Sequence, residues 1–262
     1  MVAITEEGVR VTEAKRARAA IVLAAGLGKR MQSDLPKVLH PALGRPLLLH
    51  VLDAVQEAGI APVVVVVGHQ AERVQQACAG RALGWALQVP QLGTAHAVQQ
   101  TASHFTAYTG DVVVLCGDTP LLTAATLQKL CATHQRLGAA ATVLTAEVDD
   151  PRGYGRIQRD ANGNVLGIVE DKDASPAERA LREINSGLYV FAAPDLFAAL
   201  GQVDADNAQR EYYLTDTLAI LRRSGKRIGA YRCDDAREVL GVNDPAQLAL
   251  VEKILSSRVR DA

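Results

Sequence analysis

The chain has 262 residues, of which 48% are hydrophobic and 22% are charged, and its formal net charge is −1. This composition is typical of a globular protein with a buried core, and the near-neutral charge argues against nucleic-acid or membrane-surface binding as the main function. The absence of a long apolar run or a secretory signal, together with four dispersed cysteines, leads us to expect a cytoplasmic protein with reduced thiols.

Apolar runs and helical periods alternate along the first part of the chain. The pattern predicts strands at 20–26, 61–68, 84–90, 111–118 and 139–148, and helices at 45–59, 71–80, 93–105 and 123–138. The five consecutive valines of 61–68 are typical of a buried strand. This alternation predicts an α/β fold with a largely parallel sheet and helices on both faces.

After Asp150 the pattern changes. Residues 155–171 predict two strands joined by a turn at "DANGN". Further strands are predicted at 183–193 and 227–233, and helices at 211–225 and 244–262. Because no linker or internal repeat interrupts the chain, we predict one domain over 19–262, preceded by an N-terminal extension over 1–18.

The stretch "LAAGLGKRMQSDLPKVLH" follows the first predicted strand. Ligands of α/β sheets bind beyond the carboxyl ends of strands, and glycines such as Gly26 let backbone N–H groups approach an anion. Arg30 and Lys37 favour a polyphosphate, although a glycine turn with solvated cations is the alternative. The spacing matches neither the dinucleotide-binding G-x-G-x-x-G pattern nor the P-loop.

Two oxygen-bearing side chains stand at other strand ends. Asp118 ends the strand in "LCGDTPLL", where it is either a ligand for a nucleotide-bound magnesium ion or the N-cap of the next helix. Asn243 in "VLGVND" stands at a similar junction and is either a cap or an oxygen ligand. Spacing alone leaves both interpretations open.

Seven motifs occur in one order over residues 20–244: "LAAGLGKRMQSDLPKVLHPALGRPLLLHV", "QLGTAHAVQQ", "LCGDTPLL", "DPRGYGRIQRDANGNVLGIVEDKDAS", "EINSGLYVF", "EYYLTDTLAI" and "EVLGVND". This series resembles the sugar-phosphate nucleotidyltransferase family, and within it the pyrophosphorylase half of the bifunctional bacterial N-acetylglucosamine-1-phosphate uridyltransferases. The resemblance implies a Rossmann-like nucleotidyltransferase fold. It also implies that UTP and N-acetylglucosamine 1-phosphate give UDP-N-acetylglucosamine and pyrophosphate, with Mg²⁺ as cofactor.

The resemblance implies a role for each matching position. Catalytic roles fall on Arg30 and Lys37, which neutralise phosphates, and on Asp118, which with Asn243 binds the magnesium ion. The nucleotide contacts are Leu23, Ala24, Ala25, Gly26, Gln88, Gly93 and Thr94. The sugar-phosphate contacts are Gly155, Glu170, Asn185 and Thr215, although each of the last three is by itself a common surface or capping residue.

Three positions depart from the family pattern. Lys29 stands in place of Thr, Cys116 in place of an aromatic residue before Gly-Asp, and Ser186 in place of Thr. Two alternatives therefore stay open: transfer to another sugar or alcohol phosphate, or from another NTP, and a non-catalytic nucleotide-binding regulator. The complete set of charged site residues argues against the regulator.

The resembled enzymes also carry a second half, a left-handed β-helix that transfers an acetyl group. Such a coil requires a hexapeptide period of aliphatic residues, whereas "PAQLALVEKILSSRVRDA" has helical spacing. We therefore expect no β-helix acetyltransferase domain in this polypeptide, no acetyl transfer, and a monomer or a weak homo-oligomer.

Overall fold

The computed structural model describes residues 16–260, which form a nine-stranded main sheet, a separate two-stranded sheet and flanking helices. The strands are β1 (Arg18–Leu23), β2 (Pro41–Ala42), β3 (Arg45–Pro46), β4 (Val63–Val67), β5 (Gly84–Leu87), β6 (Asp111–Cys116), β7 (Ala141–Glu147), β8 (Arg156–Arg159), β9 (Val165–Val169), β10 (Glu183–Ala192) and β11 (Ile228–Arg232). The helices are α1 (Leu47–Glu57), α2 (Ala71–Ala77), α3 (Thr94–Gln99), α4 (Ala124–Leu137), α5 (Pro176–Arg179), α6 (Ala193–Leu200), α7 (Asp216–Arg223) and α8 (Pro245–Arg260). Short 3₁₀ helices cover Lys29–Met31, Lys37–Leu39, Ala102–Phe105 and Ala236–Val239.

The main sheet is mixed but mostly parallel. Its central strand order is β11-β7-β10-β6-β1-β4-β5, and the β8–β9 hairpin joins through β10. β1 runs parallel to both β4 and β6, as β4 does to β5 and β7 to β11. β10 alone among the strands of this central order runs antiparallel to its neighbours, β6 and β7. The predicted fold class is confirmed.

Both faces of the sheet are covered. Successive side chains of a strand point to opposite faces, and the neighbours Ile21 and Val22 on β1 are fully buried in two different apolar clusters. The Val22 cluster contains α1 and α4 residues such as Leu48 and Leu127. The Ile21 cluster contains residues of α3, α6 and α7. Strands buried on both faces explain the continuous apolar runs in the sequence.

One predicted helix begins later than its sequence pattern indicates. The prediction of 211–225 is wrong over its first residues, because α7 begins only at Asp216. The backbone N–H of Tyr212 donates to Leu92 O at 2.8 Å, and that of Leu214 donates to the Thr94 hydroxyl oxygen at 2.9 Å. These tertiary hydrogen bonds hold the amides that a longer helix would use.

Two short helices and a short hairpin were not predicted. α6 follows β10 without a polar boundary, although Pro194 in its first turn is a start signal. α5 begins with a capping box formed by Ser175 and Glu178. β2 and β3 form a hairpin of two residues per strand, in which Leu43 (φ 50°) and Gly44 (φ 75°) both have positive φ, as tight hairpin turns require.

The ends of the chain are described in part. β1 begins at Arg18, whereas residues 1–15 of the predicted extension lie outside the described residues. The predicted C-terminal helix is confirmed as α8 up to Arg260. Within 16–260, no helix combines the length and the hydropathy that crossing a bilayer would take.

Candidate functional site

A cavity of about 580 Å³ opens where the parallel strands β1 and β6 end. Its lining includes all the predicted nucleotide-contacting residues together with Arg30, Lys37 and Asp118. The nucleotide-contacting set is Leu23, Ala24, Ala25, Gly26, Gln88, Gly93 and Thr94. Residues from four separate stretches of chain therefore meet at one rim of the sheet, where α/β proteins bind ligands.

The loop after β1 folds back against the segment that contains Lys37. Gly28 has a φ of 60°, and a Cβ atom placed on it would lie only 2.8 Å from Cβ of Lys37. A larger residue would therefore strain the backbone and also push the Lys37 segment away. At the start of the same loop, Ala24 N–H donates to Val66 O at 2.8 Å, which joins the loop to β4. The glycine therefore sets the distance between the loop and the lysine.

A compact charged group lies at the floor of the cavity. The Lys37 ammonium forms an ion pair with Asp118 and donates to Oδ1 of Asn243 at 2.9 Å. The side chains of Lys37 and Asp118 are only 18% and 16% exposed, so solvent screens this pair incompletely. The alternative of a glycine turn with solvated cations is therefore wrong for Lys37, whereas Arg30 is exposed.

Asp118 and Asn243 are not helix caps. The Thr123 hydroxyl accepts from Thr126 N–H at the start of α4, and the Asp244 carboxylate accepts from Gln247 N–H at the start of α8. Both capping alternatives from the sequence are therefore excluded, and the side-chain oxygens of Asp118 and Asn243 meet at the lysine instead.

The predicted base-contacting residues have defined partners within the protein. The amide of Gln88 is buried, and its Nε2 donates to Gly93 O at 2.9 Å and lies 3.1 Å from Nδ1 of His96. Gly93 has a φ of 114°, and a Cβ atom there would lie 2.5 Å from Tyr212 O. Gly93 and Thr94 thus hold the chain segment that forms the opposite wall of the cavity.

The four predicted sugar-phosphate residues form a second cluster, separate from the lining of the cavity. Thr215 Oγ1 donates to Glu170 Oε1 at 3.2 Å, and Asn185 N–H donates to Gly155 O at 2.8 Å. A Cβ atom on Gly155 would lie 3.4 Å from Glu170 Oε2. The structure therefore brings all four together, at the junction of the β8–β9 hairpin with β10.

Within this cluster the Asn185 side chain is held firmly. Its Oδ1 accepts from the Tyr189 hydroxyl at 2.9 Å and from Gly187 N–H at 3.0 Å. Both bonds use the oxygen, so the NH₂ group is the part of the side chain that can donate to a ligand.

Burial dominates the electrostatics of Glu170. It raises the pKa of the carboxyl, the nearby Asp216, Asp173 and Asp171 raise it further, and the hydrogen bond from Thr215 opposes the shift. A carboxylate in this position favours hydrogen-bond donors that carry no negative charge, such as sugar hydroxyls.

Cys116 lies between the two groups. It lines the cavity, and its thiol donates to Gly187 O at 3.6 Å. Burial, followed by the charge of Asp118, raises the pKa of this thiol to about 12, so Cys116 acts as a neutral packing residue. The Ser186 hydroxyl donates to Leu144 O at 2.7 Å and therefore forms a structural hydrogen bond between β10 and β7.

Three further polar residues of the cavity were not predicted. These residues are Gln91, Gln209 and Glu211, and all three line the cavity. Gln209 and Glu211 belong to the segment held by Gly93 and Thr94, and only the tertiary contacts of that segment bring them to the cavity. The motifs "QLGTAHAVQQ" and "EYYLTDTLAI" begin at Gln91 and Glu211, and they are the sequence signals that could have identified these two residues.

The residues present fit a magnesium ion that is shared with a phosphate. Among residues 16–260, no group of three or more His, Cys, Asp or Glu side chains could hold a metal alone. Mg²⁺ in nucleotide sites is commonly bound through one or two protein groups and completed by phosphate and water oxygens. Asp118 and Asn243 supply a carboxylate and an amide oxygen, which are the hard donors that this ion prefers.

The chain is similar to known proteins over most of its length. The MobA-like NTP transferase domain matches residues 20–220. The bifunctional protein GlmU of Pelotomaculum thermopropionicum is 54% identical over 241 residues, which are 92% of this chain and 52% of the relative. The bifunctional protein GlmU of Heliobacterium modesticaldum is 51% identical over 243 residues, which are 93% of this chain and 53% of the relative. The chain thus spans about half the length of these curated relatives.

A solved structure shows the same fold. The crystal structure of UDP-glucose pyrophosphorylase complexed with UDP-glucose matches with a TM-score of 0.76, covering 92% of this chain and 99% of that one. At 17% sequence identity, the similarity concerns the fold alone.

Proposed function

Because this chain belongs to the MobA-like NTP transferase family, we propose that it transfers a uridylyl group from UTP to N-acetylglucosamine 1-phosphate. The proposal rests on one observation: two groups of residues with different chemistry lie at one rim of the sheet. One is a cavity with Arg30, Lys37 and Asp118, and the other is a hydrogen-bonded cluster around Glu170. The roughly 50% identity to proteins named GlmU supports the choice within the family.

The cavity suits a nucleoside triphosphate. Backbone groups of the loop after β1 can approach the nucleotide closely, and Arg30 and Lys37 offset the charge of its phosphates. Gln88 and the Gly93 backbone lie where they can contact the base. The cluster of Gly155, Glu170, Asn185 and Thr215 suits the sugar, because it offers a carboxylate and an amide for hydroxyl and N-acetyl groups.

The reaction requires no general base. A phosphate oxygen of the sugar phosphate, already ionised, attacks the α-phosphorus of UTP. A new P–O bond forms, the bond from the α-phosphorus to the bridging oxygen breaks, and pyrophosphate leaves with that electron pair. The protein aligns the two anions and reduces their repulsion, which are positional and electrostatic contributions.

Asp118 and Asn243 would hold the magnesium ion. When bound, this ion supplies positive charge that neutralises phosphate oxygens. The Lys37 ammonium contacts both residues in the nucleotide-free protein. When a nucleotide binds, it would leave them and contact the phosphates instead. We further propose that the protein acts in the cytoplasm as a monomer or weak homo-oligomer.

A substrate panel tests this proposal against its alternatives. The purified chain is incubated with Mg²⁺ and each of UTP, dTTP, GTP and CTP, paired with N-acetylglucosamine 1-phosphate, glucose 1-phosphate or an alcohol phosphate, and pyrophosphate release is followed. We expect the highest kcat/KM for UTP with N-acetylglucosamine 1-phosphate. A higher value for another pair would reassign the substrate, and nucleotide binding without any turnover would indicate a regulator.

A further inference from the structure

The proposed metal ligand Asn243 lies on a short irregular segment between the 3₁₀ helix Ala236–Val239 and α8. Hydrogen bonds from two backbone N–H groups fix this segment. Val242 N–H donates to the backbone oxygen of Asp118 at 2.9 Å, and Asn243 N–H donates to the side-chain Oε1 of Gln247 at 2.7 Å. The first bond ties the segment to the other proposed ligand, and the second ties it to the first turn of α8.

The orientation of Gln247 is itself fixed. Its own N–H donates to the Asp244 carboxylate at 2.8 Å, which closes the N-terminus of α8. The side chain can therefore fold back over Asn243 while the helix backbone beneath it stays in place. The Asn243 side chain meanwhile remains directed to Lys37, because only its backbone is used by Gln247.

A small apolar cluster lies behind these bonds, formed by Met31, Leu121, Val242 and Val251 together with Ala42 and Leu47. We call it the rear cluster. Met31 follows Arg30 in the chain, Leu121 lies just after Asp118, and Val242 precedes Asn243. Val251 comes from α8 and is 1% exposed. α8 therefore shares one buried apolar cluster with the three segments that present charged or proposed metal-binding groups to the cavity.

We propose that Gln247 is a positioning residue for the metal site, and that through it α8 forms part of the catalytic apparatus. The inference rests on the proposed function, since it concerns the magnesium ligands assigned there. Two ligands on separate loops bind one ion well only if their separation is fixed, and groups behind metal ligands commonly change affinity by about ten- to a hundredfold. Without the Gln247 oxygen, Asn243 N–H loses its partner and the segment gains freedom to move.

Four variants test this proposal. Gln247→Leu keeps the size of the side chain but removes the acceptor, and Gln247→Ala removes it with a good helix former in case the leucine disturbs folding. Gln247→Glu keeps an acceptor oxygen. Ser257→Ala is the matched control, because its hydroxyl donates to Ile254 O within the same helix at 2.8 Å.

Three measurements separate positioning from a general loss of structure. Hydrogen exchange reports the amide of Asn243, Mn²⁺ titration followed by electron paramagnetic resonance reports the metal affinity, and steady-state kinetics report kcat and KM. For Leu and Ala at position 247 we expect exchange at Asn243 to be about fivefold faster and Mn²⁺ binding about tenfold weaker. KM for UTP at saturating metal should stay unchanged, and the Glu and Ser257→Ala variants should match the wild type.

The outcomes distinguish this inference from the function on which it rests. Unchanged exchange at Asn243 in both Leu and Ala variants overturns the inference, as does unchanged Mn²⁺ affinity when the wild type binds the ion. A wild type with neither Mn²⁺ binding nor turnover refutes the proposed function instead. In that case the exchange measurement still decides whether Gln247 holds Asn243.

Discussion

The cavity and the Glu170 cluster handle their proposed ligands by opposite means. The cavity lies on the parallel part of the sheet and concentrates formal charge, with Arg30, Lys37 and Asp118 at or near its surface. The Glu170 cluster lies where the antiparallel strands β8 and β10 meet and relies on buried hydrogen bonds. Phosphates require opposite charge, whereas a sugar ring requires donors and acceptors in a fixed geometry. Substitutions in the cavity should therefore lower kcat, and substitutions in the Glu170 cluster should weaken binding of the proposed sugar phosphate.

The largest expected effect is that of Asp118→Ala. Removing the only carboxylate of the proposed metal pair should lower kcat roughly a thousandfold, because its charge acts on the transferring phosphates through the ion. Asn243→Ala, which removes a neutral oxygen, should cost about tenfold. Pyrophosphate release at several Mg²⁺ concentrations measures both, with Asp53→Ala on α1 as control. Near-normal Mg²⁺-dependent rates in Asp118→Ala would falsify the assigned role.

Lys37→Met should separate two roles of the lysine. Turnover should fall about a hundredfold, since the phosphates lose a cation. Mn²⁺ binding to the nucleotide-free protein should become tighter, because the ammonium no longer competes for Asp118 and Asn243. Rapid-quench kinetics and electron paramagnetic resonance test the two effects, with the exposed Lys129→Met as control. Weaker Mn²⁺ binding in the variant would show that the lysine supports the metal site.

Arg30→Ala should have a smaller effect on the same side. The Arg30 side chain is exposed, so water screens its charge and we expect about a tenfold loss in kcat. Selectivity among the four bases should not change, since the residue is assigned to phosphates. The NTP panel measures both quantities, and Arg45→Ala on β3 is the control. Relaxed base selectivity with a preserved rate would mean that the nucleotide lies in the opposite orientation.

Glu170→Gln tests the Glu170 cluster. Of the substitutions described, it should change kcat the least. The KM for the sugar phosphate should rise about fivefold, with the KM for UTP unchanged. Its effect on stability should depend on pH. Because burial raises the pKa of Glu170, the ionised form destabilises the folded state as pH rises through that pKa.

The glutamine variant should therefore be more stable than the wild type near neutral pH. The difference should disappear once the pH falls below the ordinary glutamate value of 4.5, where the wild type is protonated in both states. Thermal unfolding between pH 4 and 8 measures this, and Glu57→Gln at an exposed position of α1 is the control. A variant less stable than the wild type at pH 8 would contradict the assigned cause.

Sequence patterns predicted the positions of the strands better than their directions; the 155–171 hairpin and the 183–193 strand were both predicted in place. Buried strands such as β4 and β6 carry continuous apolar runs, so their positions follow from local composition. The direction of β10 depends on which strands it pairs with, and no local pattern records that. Similarly, the start of α7 is set by hydrogen bonds to Leu92 and Thr94. The bond from Leu214 to Thr94 joins residues that are 120 positions apart in the sequence.

In the site, too, local features were predicted and long-range contacts were not. Motifs identified the residues that gather at the cavity and at the Glu170 cluster, because each motif stays within one strand end or turn. The contact of Lys37 with Asp118 and Asn243 spans 81 and 206 residues of sequence. Gln247 was likewise missed, since its role depends on the fold of its side chain over Asn243.

β10 links the cavity and the Glu170 cluster through the backbone itself. Its Tyr189 pairs with Val114 of β6 on one edge and with Val143 of β7 on the other, and the register against β7 shifts between Asn185 and Tyr189. The cavity side and the Glu170 side of the sheet are thus joined by one shared strand. An engineer who wishes to change the acceptor can vary the β8–β9 hairpin and the irregular stretch of β10. The strands and loops that form the cavity can then be retained unchanged.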